Sequence, residues 1–230
     1  TAYEIRLSLV GSEMCIRDSF LKRLKKNGSK FSYRKVKNKS KKVYEANITV
    51  FDALKKSDYD SNGKFFLERY VSAHSIMISF EGIPALYFNS LFGKSNDEAK
   101  YIITGNNRDV NRYKWNYKNI SKKLDNKNSK QSIFFQKISN LLSIRRKQKA
   151  FHPNASRHNL NLGSNFFSFK RMSIDKDQTI ICITNLSSKI QKTPLNKIYH
   201  GWNNLIGPKI EIKNKRLILK PFETIWLSNR

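Results

Sequence analysis

Between Lys64 and Phe88 the chain sets a helical pattern directly against an apolar run, and this pairing constrains the fold more than any other stretch. Phe66, Tyr70, Ala73, Met77 and Phe80 recur at steps of four, three, four and three, so they share one face of a helix over residues 64–80. Gly82-Ile83-Pro84 ends that helix and opens an apolar run through Tyr87 and Phe88. An unbroken run of that kind predicts a strand buried on both faces. Helix followed by buried strand is the repeating unit of an α/β barrel.

Downstream, Phe134, Ile138, Leu141 and Leu142 line one side of a second expected helix, residues 131–149, whose end is crowded by Arg145, Arg146, Lys147 and Lys149. Cations there complement the helix dipole, which accounts for the run without a ligand. From Phe166 the pattern turns to alternation and short apolar runs, at Phe167/Phe169, 179–184, Ile210/Ile212, Leu217/Leu219 and Ile225/Leu227, separated by turn residues. That spacing predicts an antiparallel β domain of about five strands. Upstream, residues 20–42 lack a sustained apolar period and read as loop or a weakly formed helix, and 43–54 as a short extended segment within a loop. The expected boundary between the two parts lies within residues 150–163.

The formal charge is +28, from 45 Lys and Arg against 17 Asp and Glu. Basic residues cluster at 21–42 and 114–130, interleaved with Asn and Ser. Two readings follow: a solvated basic surface produced by AT-rich codon usage, or a basic nucleic-acid-binding module. Cys15 and Cys182 cannot build a disulfide framework, and Cys182 lies in an apolar run, so a buried free thiol in a reducing cytoplasm is expected. Glu68, Arg69, His74 and Glu81 interrupt the best membrane candidate well short of the roughly 18 apolar residues that a span needs.

Known chemical signatures are mostly missing. The nine glycines form no phosphate-binding loop, His152, His158 and His200 have no metal-ligand spacing, and no GxSxG elbow marks a nucleophilic serine. No metal and no cofactor are expected. Retaining sugar chemistry needs a nucleophilic and an acid/base carboxylate about 5 to 5.5 Å apart. Among the carboxylates of the first half, Glu45, Asp52, Asp58, Asp60, Glu81, Asp97, Glu98 and Asp109 are the candidates, and none lies in a GFRxD or HD context.

The helix, the Gly-Ile-Pro run, Asn96-Asp97 and Thr104-Gly-Asn-Asn-Arg-Asp-Val-Asn-Arg112 together resemble the seventh helix, eighth strand and following loop of sucrose-phosphorylase-like enzymes, including the glucosylglycerate phosphorylases, a branch of the α-amylase superfamily (glycoside hydrolase family 13). Residues 43–54 are similar to the loop after that family's seventh strand, 131–155 to its eighth helix and exit, and the β region to its small C-terminal sandwich. The resemblance implies an α/β fold with residues 20–155 as the C-terminal part of a (β/α)8 barrel and 156–230 as a β domain. Residues 1–19 resemble a translated sequencing-adaptor tail and are expected to be non-native.

By the same resemblance, Arg108 would contact the outer hydroxyls of a bound glucose, and Tyr44 and Glu45 would face the acceptor or phosphate, with Asn47 a further candidate in that loop. Asn111 and Arg112 would brace the motif. Inorganic phosphate would be the co-substrate and a glucoside the partner, with no specific nucleic acid and no membrane. The family's three catalytic carboxylates lie on earlier strands and have no counterpart here, so no residue of the chain is expected to be catalytic, and the polypeptide alone is expected not to turn over. An open barrel remnant would also leave the apolar helix face uncovered.

Overall fold

The computed structural model describes residues 15–35, 41–194, 199 and 201–230. The expectation for residues 1–14 of the N-terminal tail therefore lies outside the described residues, as does His200. Residues 15–26 form a helix, α1, the helical one of the two readings given for the stretch from residue 20. An antiparallel hairpin follows, β1 (Lys30–Lys35) and β2 (Lys41–Asn47), and then α2 (Val50–Lys55). The regular structure in 20–54 is thus greater than composition indicated, because backbone pairing and the Thr49 cap, whose side chain accepts from Asp52 N at 3.2 Å, act where no apolar period exists.

The expected helices are present as α3 (Phe66–Ser79) and α7 (Lys130–Arg146). Between them run α4 (Phe88–Leu91), α5 (Glu98–Thr104), a 3₁₀ turn (Asn107–Asn111) and α6 (Tyr117–Asp125). In α7 the side chains of Phe134, Ile138 and Leu141 are buried and Leu142 is half-buried, so its apolar stripe faces inward. Tyr70 of α3 packs between Phe66, Phe134 and Phe51.

Eight further strands complete the chain: β3 (Ser156–Asn159), β4 (Phe166–Met172), β5 (Thr179–Asn185), β6 (Gln191–Pro194), β7 (Asn203–Asn204), β8 (Glu211–Lys213), β9 (Arg216–Leu219) and β10 (Thr224–Ser228). They form one sheet of order β3-β4-β5-β10-β7 and another of order β6-β9-β8, antiparallel throughout. Alternation divides β5 between two cores. Ile180 and Cys182 face the helices with Phe169 and Trp226, while Ile181 and Ile183 face Leu217 and Leu219 of the small sheet.

The expected apolar face of α3 is covered in part: Tyr70 is buried and Phe66, Met77 and Phe80 pack half-buried against the core, while Ala73 and Met77 also line a cleft. One apolar core joins Phe51, Tyr70, Ile78, Phe134, Ile138 and Leu141 of the helices to Phe169, Ile180, Cys182 and Trp226 of the larger sheet. Ser72, Ser75 and Ser79 line the buried side of α3, and Ser72 Oγ meets Thr224 Oγ1 at 2.8 Å. Small side chains there let helix and sheet approach closely, a feature that an apolar period does not register.

The expected eighth strand requires correction. Residues 83–87 join no ladder, and Phe88 already begins α4. Ile83, Ala85 and Tyr87 are exposed while Pro84 and Leu86 are half-buried, so the strand-like alternation is there without a neighbouring strand. Among the described residues every ladder is antiparallel and none borders this run. Hydrophobicity marks what should be covered, but a strand also needs a paired backbone.

Candidate functional site

Arg108 owes its place to a series of short polar contacts. The Asp97 side chain caps α5 by accepting from Lys100 N at 3.2 Å, and Gly105 ends that helix in the left-handed conformation, φ 64°. Asn106 Oδ1 then accepts from Arg108 N at 3.0 Å and opens the 3₁₀ turn. Asn107 donates to Phe31 O at 3.0 Å, which fastens the turn to β1, and Val110 is fully buried beneath it with its carbonyl accepting from Asp97 N at 2.7 Å.

Across this junction Arg108 Nε donates to Glu45 Oε2 of β2 at 3.1 Å. The guanidinium is about half exposed and the carboxylate less so, at 47% and 30%. The hydrogen bond to Glu45 and the charge of its carboxylate hold the Arg108 guanidinium above its ordinary range, with the Tyr44 side chain adding to the effect. Asp109 forms a parallel pair with Lys100 Nζ at 3.0 Å, which holds its carboxyl below the usual carboxylate range.

Tyr44 is exposed beside the pair, so Arg108, Glu45 and Tyr44 share one surface although 63 residues separate the two partners of the ion pair. Among the described residues only Nε of Arg108 is committed to the carboxylate, which leaves the terminal nitrogens as a planar donor fork beside the Tyr44 ring and hydroxyl. Asn47 is oriented differently. It is buried, and its amide donates to Lys30 O at 3.2 Å and Ser32 Oγ at 3.1 Å, bracing the base of the hairpin. Arg112 is exposed, and Asn111 Nδ2 reaches Ile48 O at 3.5 Å.

Two asparagines absent from the expected set organise this region. Asn96 Oδ1 accepts from Thr49 N at 2.9 Å and Thr49 Oγ1 at 3.1 Å, its own N–H donates to Asp52 at 2.6 Å, and its amide reaches Gly28 O at 3.3 Å. Asn89, which is buried where Asn96 is half-buried, accepts from Trp115 Nε1 at 2.8 Å and donates to Tyr113 O at 3.1 Å. In a linear reading Asn marks a turn, and only their long-range side-chain hydrogen bonds distinguish these two.

The remaining titratable groups near the helices are structural. His74 Nδ1 lies 2.8 Å from Tyr70 O, and burial pushes its pKa down. Burial pushes the Cys182 thiol up to about 12, so it is an inert buried thiol. Among the described residues no group of three or more His, Cys, Asp or Glu could hold a metal, and no helix is long and apolar enough to cross a membrane.

No family profile matches the chain. It is 28% identical over 207 residues to the glucosylglycerate phosphorylase of Escherichia coli (strain K12), covering 89% of this chain and 35% of that protein. It is also 30% identical over 110 residues to the sucrose phosphorylase of Agrobacterium vitis, covering 48% of this chain and 20% of the relative. Among solved structures, sucrose 6F-phosphate phosphorylase from Thermoanaerobacter thermosaccharolyticum superposes with a TM-score of 0.58 at 20% identity, over 74% of this chain and 31% of that one. The chain spans about a third of the length of the curated relatives it matches. The chain is thus similar in sequence to glucosylglycerate and sucrose phosphorylases, and over the matched part it shares the fold of sucrose 6F-phosphate phosphorylase.

Proposed function

We propose that Arg108, Glu45 and Tyr44 form part of the sugar-binding wall of a retaining α-glucoside phosphorylase or transglucosidase, of which this chain is a C-terminal portion. In this reading residues 20–155 belong to the end of a (β/α)8 barrel and 156–230 to an appended β-sandwich. The observation that carries it is the Arg108–Glu45 contact, which brings together two segments that independently resemble sugar-facing loops of the same family. Arg108 would direct its free guanidinium nitrogens to the outer hydroxyls of glucose, with Glu45 and Tyr44 toward the acceptor or phosphate. Asn47, spent on hairpin bonds, would act by holding Tyr44 and Glu45 in place.

The nucleophile and the acid/base carboxylate would come from a part of the enzyme that this chain does not carry. Both carboxylates nearest Arg108, Glu45 and Asp109, are engaged in ion pairs with side chains of this chain. The protein would work in the cytoplasm, where the free thiols suit a reducing medium.

The test has two arms. Purified chain incubated with phosphate and either sucrose or glucosylglycerate is expected to release no glucose 1-phosphate, and turnover would overturn the fragment reading. In the longer enzyme that carries this chain, Arg108→Lys is expected to lower kcat/KM at least about 100-fold, because a point charge cannot replace a planar fork. An unchanged kcat/KM would remove Arg108 from the site. Polyanion binding by the basic surface is expected to weaken steadily with salt and to show no sequence preference, whereas selective nucleic-acid binding would favour the competing reading.

A further inference from the structure

Residues 78–82, where α3 ends, are held by three arginines from three other elements. Arg145 of α7, itself buried, donates to Ile78 O, to Phe80 O at 3.3 Å and to Gly82 O at 2.9 Å. Arg171 of β4 has no solvent exposure; its Nη1 donates to Ser79 O at 2.8 Å and its Nη2 to His152 O at 2.8 Å and Ala155 O at 3.2 Å. Arg157 of β3 donates Nε to the Glu81 carboxylate at 2.7 Å and lies 5.3 Å from the Phe80 ring centre. Gly82 N donates to Pro153 O at 2.9 Å.

A helix C-terminus leaves its last carbonyls without partners and carries partial negative charge, so some cationic or polar cap is expected. A single left-handed glycine ordinarily suffices. Here the chain instead turns extended at Phe80, φ −67° and ψ 165°, and the cap comes from outside the helix. Arg145 and Arg171 have no carboxylate among the described ion pairs, and burial pushes both pKa values down. Charge of this kind is costly to bury. Its compensation is the set of carbonyls together with the Phe151 ring, 5.7 and 5.9 Å from the two guanidinium carbons. Stopping a helix requires far less than this.

We infer that Arg145, Arg157 and Arg171 are positioning residues, which fix the direction in which the chain leaves α3 so that the C-terminal sheet determines where residues 83–88 and the loop after them stand. The device lies in the geometry: two of the three arginines belong to β3 and β4, and beyond Gly82 no backbone hydrogen bond involves residues 83–86 among the described residues. The last fixed point before the exposed run, Gly82, is held by Arg145 of α7 and by Pro153, which lies in the segment ahead of β3 whose His152 and Ala155 carbonyls Arg171 of β4 grips, so the sheet acts on it through that segment. Arginine suits the task because one planar group can serve several carbonyls at once.

Site-resolved amide hydrogen exchange on the intact chain tests this. Arg171→Met is expected to speed exchange at Phe80 and Gly82 about ten-fold or more while Ile181 and Leu227, in the sheet centre, change less than about two-fold, with Arg171→Lys intermediate. Arg157→Met, a change at a partly exposed site that preserves the fold, is expected to give about a three-fold increase confined to Phe80 and Gly82. Unchanged Phe80 and Gly82 exchange in Arg157→Met would overturn the inference. A rise in Arg171→Met shared equally by the sheet centre would do the same, since Arg171 would then be a general core residue; should that variant not fold, Arg157→Met alone decides.

Discussion

Strand β5 (Thr179–Asn185) and residues 82–88 have similar apolar character and opposite fates. β5 pairs with β4 on one edge and β10 on the other, and both of its faces are covered, by helices on one side and by the small sheet on the other. Residues 83–87 border no strand, and Ile83 is 85% exposed. A cleft of about 200 Å³ lined by Val50, Ala73, His74, Met77, Leu86 and Tyr87 adjoins them. The difference shows that an apolar run fixes the demand for cover, while neighbouring backbones decide whether that demand is met as a strand. The core common to helices and larger sheet provides such cover for α3 and α7, and it stops at Leu86.

The largest effect should separate the two regions directly. Trp226, fully buried between α-helical and sheet side chains and 4.8 Å from Phe151, should cost about 3 to 5 kcal/mol when truncated to Ala, read as a lower urea midpoint. Ile83→Ser should change stability by no more than about 0.5 kcal/mol. Equal losses at the two positions would mean that the exposed run is covered in solution, and the contrast would fail.

A second test uses protons. Burial lowers the folded-state pKa of His74, so the folded state binds its proton less well than the unfolded state does. Its contribution to stability is full above the unfolded value of about 6.5 and declines as pH falls below it, by at most about 1.4 kcal/mol per pH unit for one group. Urea titrations should show this slope in the native chain and a shallower one in His74→Gln. A slope of the opposite sign in the native chain would place a charged His74 in the fold.

A third test has the reverse sign. Asn214 and Lys215 join β8 to β9 with φ of 50° and 60°, a two-residue turn in which glycine is the easier second residue. Lys215 is exposed, so Lys215→Gly should stabilise by about 0.5 to 1 kcal/mol. Loss of stability instead would show that the small sheet is held by its lysine side chain and not by turn geometry. Phe222, at φ 52°, invites no such change, because its ring packs against Phe65 and Arg69.

These contrasts also explain what could be read in advance. α3, α7, β4, β5, β9 and β10 announce themselves because their apolar residues recur at the period of the element that buries them. β3 (SRHN), β6 (QKTP) and β7 (NN) are polar and exist through pairing alone, and β1 hides its Phe31 and Tyr33 among lysines. The run at 82–88 misleads for the converse reason, since its alternation is intact and its partners are not. At the candidate site, Arg108 and Glu45 could be matched to family loops one by one. Their meeting depends on Asn96, Asn106 and Asn107, whose roles follow from hydrogen-bond geometry that no spacing rule carries.

The smallest expected effect concerns that meeting. Arg108 and Glu45 are joined by a single hydrogen bond at the surface, where water and salt screen the charges, so the pair should add little to stability. Glu45→Gln and Arg108→Met, singly and together, should leave the urea midpoint close to that of the native chain, and any coupling between them should vanish at about 0.5 M salt. A large coupling that survives salt would identify the pair as a structural tie between hairpin and loop and would weaken the case for a ligand. A negligible coupling fits a side-chain fork kept near its working position by the asparagines around it, with its remaining nitrogens unspent. The hairpin itself should persist in the Arg108 variant, because Asn107 and Asn47 hold it by bonds that do not involve the ion pair.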